Sequence, residues 1–283
     1  GSGFTLPGTP YIALGHNENL AWAMTTGGPD TADVYELTLD PNNPLKYKYD
    51  NEWRDITSRE VTIEIKGGAS KTVTVYDSHY GPIIAMRNGK AYAAKMSYAD
   101  CVQTNEGWYA LNFAKDYRGI IAAAETQMIF PQNVMGADTS GNIYYQRCGR
   151  IPKRPAGLDW TRPVDGSKSA NEWQGLVSVE DHVQILNPEQ GYMQNCNISP
   201  DNMMVHSPLQ PSKYPQEIYS DRGYGPNSGW FNQRGGRAVE LLSTHDHVSI
   251  EDAIHFGQDL HPYGCEHWVK QLLDADKAFG ADY

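Results

Sequence analysis

The chain has 283 residues, 40% hydrophobic and 20% charged, enough apolar material for a core and too even a balance for a disordered tail. Twenty-three Lys and Arg against 34 Asp and Glu leave a net charge of −11, the opposite of the basic face a nucleic-acid binder turns to phosphates. No apolar run approaches the roughly 20 residues of a membrane helix, and no charged-then-apolar leader opens the chain, so any export signal is expected outside it.

In chain order, the first forty residues read as a dense series of punctuated strands. Val61, Ile63 and Ile65 alternate with Thr62 and Glu64, the period of a half-buried strand. Gly67-Gly68 interrupts the run and Val73 with Val75 resumes it, which predicts a hairpin. Asn88-Gly89 predicts a second turn, between Ile83-Ile84 and Ala91-Tyr92. Residues 107–128 read as helix, with Trp108, Leu111 and Ala114 on one stripe and an alanine-rich stretch after Arg118. Strands return at Val134–Ala137 and Ile143–Tyr145 around an Asp138-Thr139-Ser140-Gly141 turn. Residues 149–176, rich in Pro, Gly and Trp, read as a long surface excursion. Helix follows from Arg237 to Leu242 and restarts at Ser249, where Ser249 and Asp252 form a capping pattern. With no repeat and no clean linker, residues 1–283 read as one α/β domain with an extended antiparallel sheet.

The 27 Gly, 17 Pro, 18 Tyr and 7 Trp suit a turn-rich, aromatic β protein. Four scattered cysteines, none in a C-x-x-C pair, read as isolated buried thiols with at most one bridge. His245-Asp246-His247 falls where one helix stops and the next is capped, which suits a solvated turn. His261 and His267, near Cys265, show no metal-ligand spacing. No G-x-S-x-G elbow, H-E-x-x-H helix or G-x-x-x-x-G-K-S/T loop occurs, so serine-triad, zincin and nucleotide-cleaving readings lose their support.

One ordered set of short blocks remains. It runs Pro7-Gly8-Thr9-Pro10, Gly15-His16-Asn17, Ala21-Trp22, Thr25-Thr26 and Asp30-Thr31-Ala32-Asp33-Val34-Tyr35. It continues with Pro131-Gln132-Asn133, Ala137-Asp138, Gly141-Asn142-Ile143-Tyr144, Gly149, Pro152 and Arg154. Asn187-Pro188, Gly191-Tyr192 and Asn195-Cys196-Asn197-Ile198-Ser199-Pro200 close the set. Over residues 5–240 this order resembles the β-chain of the penicillin acylase family of N-terminal-nucleophile hydrolases.

The resemblance implies a four-layer αββα fold and hydrolysis of a linear amide. The substrate would be a small acyl amide such as a penicillin, a cephalosporin side chain, an acyl-homoserine lactone or a lipopeptide. It also implies a periplasmic or secreted zymogen that cleaves itself to expose an N-terminal serine, whose α-amino group acts as base. In the family that serine precedes the Pro-Gly block by a few dozen residues, so Ser2 is not expected to be the nucleophile. The serine, the α-chain and the remainder of the β-chain are expected outside this chain, which alone should be inactive.

Of the rest of the site, Thr26 matches the backbone oxyanion donor and Asn197 the side-chain donor, each such group being worth about 3 to 4 kcal/mol. Cys196 stands where an aromatic is common, so packing around Asn197 is expected to differ. Arg237 aligns with a supporting arginine. Met24, Gly28 and Gln132 align with acyl-pocket positions, Gly28 enlarging the pocket. Asp30, Asp33 and the carbonyl of Ala32 match a structural calcium site built of oxygen ligands. Two other readings stand beside this one: a non-catalytic family member used for binding or structure, and a secreted carbohydrate-binding protein suggested by the aromatic content.

Overall fold

The computed structural model describes residues 1–219 and 232–280. In chain order the strands of the first half are β1 (Ser2–Phe4), β2 (Leu14–His16), β3 (Leu20–Thr26), β4 (Ala32–Asp40), β5 (Asn43–Tyr49) and β6 (Glu52–Asp55). They continue with β7 (Thr57–Ile63), β8 (Lys71–Ser78), β9 (Gly81–Arg87) and β10 (Lys90–Met96). Helices α1 (Asn105–Asn112) and α2 (Tyr117–Glu125) precede β11 (Gln132–Asp138), β12 (Ile143–Cys148), β13 (Val164–Asp165) and β14 (Gln184–Leu186). Among the described residues four α-helices follow: α3 (Gln216–Tyr219), α4 (Gln233–Ser243), α5 (Ile250–Gln258) and α6 (Cys265–Phe279).

The residues gather into two compact units, 1–29 with 105–148 and 182–283, and 30–104 with 149–181. Because the chain passes from one to the other at 29/30, 104/105, 148/149 and 181/182, no single linker marks a boundary in the sequence.

In the first unit, six described strands form an antiparallel sheet in the order β1-β2-β3-β11-β12-β14. Strand alternation sends Leu20, Trp22, Val134 and Tyr144 to one face, where all four are buried. Ile120 of α2 lies against Gly136 of that face so closely that a β-carbon there would come within 2.4 Å of its Cδ1. The Gly-His-Asn block has a structural task here. Asn17 accepts from the backbone N–H groups of Asn19 and Leu20 and donates to the carbonyls of Asn112 and Ala114 at 3.2 and 2.7 Å. It thereby ties the β2–β3 turn to the end of α1.

In the second unit the order is β6-β5-β4-β10-β9-β8-β7, with β13 pairing parallel to β4. Tyr35, Leu37, Tyr47, Tyr49, Ile56, Tyr80, Ala91, Ala93 and Val164 make its core. Both expected hairpins are present. Asn88 and Gly89 take φ of +54° and +71°, as the tight β9–β10 turn requires.

Four expectations need correction. The 107–128 helix is two helices, because Asp116 turns its side chain onto the N–H of Arg118 at 2.9 Å and caps α2 afresh. Ile63 and Ile65 are half exposed, since Ile63 ends β7, an edge strand, and Ile65 lies beyond it. The 149–176 excursion is partly interior: Ile151, Arg154 and Val164 are buried. All four cysteines are free thiols, and Cys148 alone is fully buried. Helix α6 was not foreseen, whereas the Ser249–Asp252 capping box was, and it forms in full.

Candidate active site

Strands β3 and β11 pair with Thr25 opposite Asn133 and Thr26 opposite Gln132. The two-residue period therefore sends Thr25 and Asn133 to one face, and Met24, Thr26 and Gln132 to the other.

On the first face a chain of polar side chains runs from the sheet interior to the loop after β14. Buried Tyr145 donates its hydroxyl to Asn133 Oδ1 at 2.7 Å, and burial pushes the phenol pKa well up, so it stays a donor. Asn133 Nδ2 donates to Thr25 Oγ1 at 3.1 Å and to the Gly27 carbonyl at 3.2 Å. Thr25 Oγ1 in turn donates to Asn195 Oδ1 at 2.6 Å. Asn195 Oδ1 also receives the backbone N–H of Asn197 at 3.0 Å, and Asn195 Nδ2 donates to the Ile198 carbonyl at 3.1 Å. Two buried asparagines and a threonine thus hold the turn in which Asn197 adopts φ of +59°, a region asparagine tolerates.

The turn delivers the Asn197 side chain to the end of β3. Its Nδ2 donates to the Thr26 carbonyl at 2.9 Å, and its Oδ1 receives Arg234 Nη2 at 2.9 Å. Those two bonds fix which way the amide faces. An amide nitrogen carries two hydrogens, so one remains for a further acceptor. Thr26 is exposed and Asn197 half exposed, so an incoming group can reach them.

Helix α4 supplies the third support. Asn232 caps it by accepting from the Gly235 N–H at 2.8 Å, and its Nδ2 donates to the Cys196 carbonyl at 2.8 Å. Gly235 rests against Ile198, where a β-carbon would stand 2.9 Å from Cγ2, so the first turn of α4 is seated on the Asn197 loop. Cys196, in the place of an aromatic, is half-buried. Burial raises its thiol pKa, opposed by the Arg234 charge.

The structure brings Thr26 and Asn197 together and leaves Arg237 aside. Arg237 grips Asp259 with Nε and Nη2 at 3.1 and 2.8 Å and reaches Glu240 at 2.8 Å. Arg234, three residues earlier on α4, meets Asn197 instead. The sequence could have raised it by its i, i+3 spacing from Arg237, but helical spacing cannot say which of two neighbouring arginines faces the loop.

Met24 and Gln132 share the Thr26 face of the sheet. Gly28 makes no room there. Its absent side chain is replaced by the backbone of Pro131, whose carbonyl carbon would lie 2.2 Å from a β-carbon. Its carbonyl accepts from buried Arg147 at 2.9 Å. Gly28 is therefore a close-packing glycine and not a widened pocket.

Asp30 and Asp33 converge as expected, but on a cation of the protein's own. Buried Arg154 donates from Nε to Asp33 Oδ2 at 2.8 Å and lies 3.3 Å from Asp30 Oδ2. Trp173 Nε1 donates to the same Asp33 oxygen at 2.7 Å. Burial raises the Asp33 pKa, with Arg154 and Trp173 opposing it. Among the described residues no third acid, His or Cys joins the pair. With the Ala32 carbonyl, this donor set fits a guanidinium better than a calcium ion, which takes six to eight oxygens.

Ser2 sits on β1 opposite His16, itself opposite Ala21 on β3. Two strand spacings across and five residues along put it on the order of 20 Å from Thr26. It is out of reach of the Thr26–Asn197 pair.

Antiparallel sheets in an α/β chain of this order define the N-terminal-nucleophile type of hydrolase fold. The chain belongs to the penicillin amidase family, whose sequence model matches residues 1–282. It is 31% identical over 208 residues to penicillin G acylase of Escherichia coli, covering 71% of this chain and 24% of that protein. It is 26% identical over 303 aligned residues to acyl-homoserine lactone acylase PvdQ of Pseudomonas fluorescens strain Pf0-1, covering 96% and 38%. The solved thermostable penicillin G acylase of Alcaligenes faecalis superposes with a TM-score of 0.78 at 26% identity, over 99% of this chain and 48% of that one. The chain spans less than half the length of each. Among the described residues no helix is long and apolar enough to cross a membrane.

Proposed function

We propose that this chain carries the oxyanion-binding half of an amidohydrolase that cleaves a linear acyl amide to a carboxylic acid and an amine. The observation that carries the reading is the Asn197–Thr26 hydrogen bond, with Arg234 on the other end of the same amide. When a nucleophile adds to the scissile carbonyl, charge collects on the oxygen, and preformed donors stabilise it without reorganising. Asn197 is such a donor: Thr26 and Arg234 hold its plane, and the guanidinium polarises its N–H bonds. In this reading the Thr26 backbone N–H, at the end of β3 where the Asn197 amide arrives, is the second donor.

The nucleophile in this reading is an N-terminal serine in the part of the protein outside this chain, freed by self-cleavage of a zymogen. The distance of Ser2 from Thr26 supports that placement. An α-chain and the remainder of the β-chain are the proposed partners, supported by the share of its relatives that the chain covers. A periplasmic or secreted location follows from the same family reading. No step is assigned to calcium; within this chain Asp30 and Asp33 are met by the Arg154 guanidinium.

The test uses the whole protein, assayed for amine release from phenylacetyl and long-chain acyl amides. Turnover of at least one is expected, and Asn197→Ala should lower it about 100-fold or more with the fold intact by circular dichroism. No turnover of any amide, or turnover indifferent to Asn197→Ala, would leave a non-catalytic family member instead.

A further inference from the structure

The turn from α5 into α6 brings together three unlike metal-binding side chains that sequence spacing left unconnected. Asp259 Oδ1 accepts the backbone N–H of His261 at 3.0 Å, and the N–H of Cys265 returns to the Pro262 carbonyl at 3.1 Å. Gly264, at φ of +73°, swings the chain into the first turn of α6. His261 Nε2 then lies 2.7 Å from Glu266 Oε1 and 3.8 Å from Cys265 Sγ, with all three donor atoms within 4.8 Å of one another. No other such group of His, Cys, Asp and Glu occurs among the described residues.

We infer that His261, Cys265 and Glu266 form a site for a borderline-soft divalent cation of the zinc class. Zinc–nitrogen and zinc–sulfur bonds of about 2.0 and 2.3 Å at a tetrahedral angle set donor atoms about 3.5 Å apart. The histidine–cysteine distance is already close to that. Glu266, whose side chain is 70% exposed, has to shift by on the order of 1 Å, away from His261 and toward Cys265, which an unpacked side chain does freely. The histidine end is anchored. Asp259, which holds the His261 backbone, is itself gripped by two nitrogens of Arg237.

The chemistry of the donors selects the ion. Thiolate and imidazole favour zinc over calcium or magnesium, which prefer oxygen alone. One thiolate and one carboxylate match a charge of two, and they offset the unfavourable end of the α6 dipole. On binding, the thiol gives its proton to solvent, as does the imidazole Nε2 when it carries one, and no electrons change hands. Affinity therefore rises with pH. Three protein ligands leave a fourth position for water or a small ligand.

Cobalt(II) is the probe, added to the whole protein. One equivalent should give a thiolate-to-cobalt charge-transfer band that zinc(II) then abolishes. Cys265→Ser should remove the band and Cys101→Ser should leave it. His261→Ala and Glu266→Gln should each weaken zinc binding at least as much as the roughly 10- to 100-fold typical of losing a group that only orients a ligand. Circular dichroism checks that each variant is folded. The inference fails if no band forms, if the band survives Cys265→Ser, or if both other variants bind zinc as the wild type does. Amide turnover is not the readout, so this result stands apart from the proposed activity.

Discussion

Asn197 donates its side-chain amide to the carbonyl of Thr26 at 2.9 Å, joining residues 171 positions apart in the sequence. That bond brings the Asn197 turn to the end of β3, and the amide's other partner, Arg234, separates two arginines that look alike in sequence.

Arg234 and Arg237 should therefore fail in different ways. In the whole enzyme Arg234→Ala is expected to lower kcat by roughly 10- to 100-fold, the worth of one charge-assisted hydrogen bond, with little change in KM or melting temperature. Arg234→Lys should restore part of it. Arg237→Ala should instead lower the melting temperature by releasing Asp259, with kcat nearly unchanged. Equal losses of kcat in both variants would contradict the assignment.

Gly28→Ala tests the close contact with Pro131. A methyl group forced against that backbone should cost about 1 to 3 kcal/mol, seen as a lower denaturant midpoint. Under the proposed function the spectrum of acyl groups accepted by the whole protein should not narrow, since the Pro131 backbone already fills that space. A variant as stable as the wild type, with altered acyl preference, would return Gly28 to the pocket.

At Asp30 and Asp33 the cation in question is Arg154. Asp33→Asn leaves a buried guanidinium poorly paired and should cost about 3 to 5 kcal/mol. A chelator should leave the melting temperature where it is. If added calcium raises the melting temperature of the whole protein, and Asp33→Asn abolishes the rise, oxygens from outside this chain complete a calcium site after all.

His79 gives the second unit a pH dependence of known sign. Its ring lies between Tyr47 (2.5 Å) and Glu172 (3.1 Å), Tyr49 also donates to that carboxylate, and Lys95 and Arg54 are nearby. Burial lowers its pKa, Glu172 opposing. With the folded value below the unfolded one, near 6.5, the unfolded chain binds more protons in that window. Stability is thus full above about pH 6.5 and falls as pH drops through the folded value. Urea midpoints at pH 7.5 and 5.5 should differ by less in His79→Gln than in the wild type. An identical difference would remove His79 from the account.

What the sequence determined by itself is local or ordered along the chain. The Asn88-Gly89 turn, the Ser249–Asp252 capping box and the β11–β12 hairpin follow from backbone chemistry within a few residues. The order of blocks from Pro7 to Pro200 was enough to mark Thr26 and Asn197 as partners. What needed the tertiary structure is every assignment that depends on direction. Whether Arg234 or Arg237 faces the loop, whether Gly28 opens a space or closes one, and whether Asp33 meets a metal or Arg154 are decided by groups a hundred or more residues distant, or by the rotation of a helix on its seat. The same holds for His261, Cys265 and Glu266, whose meeting depends on one left-handed glycine. Periodicity reports which side of an element is apolar, and a hydrogen bond's partner is set only when two elements pack.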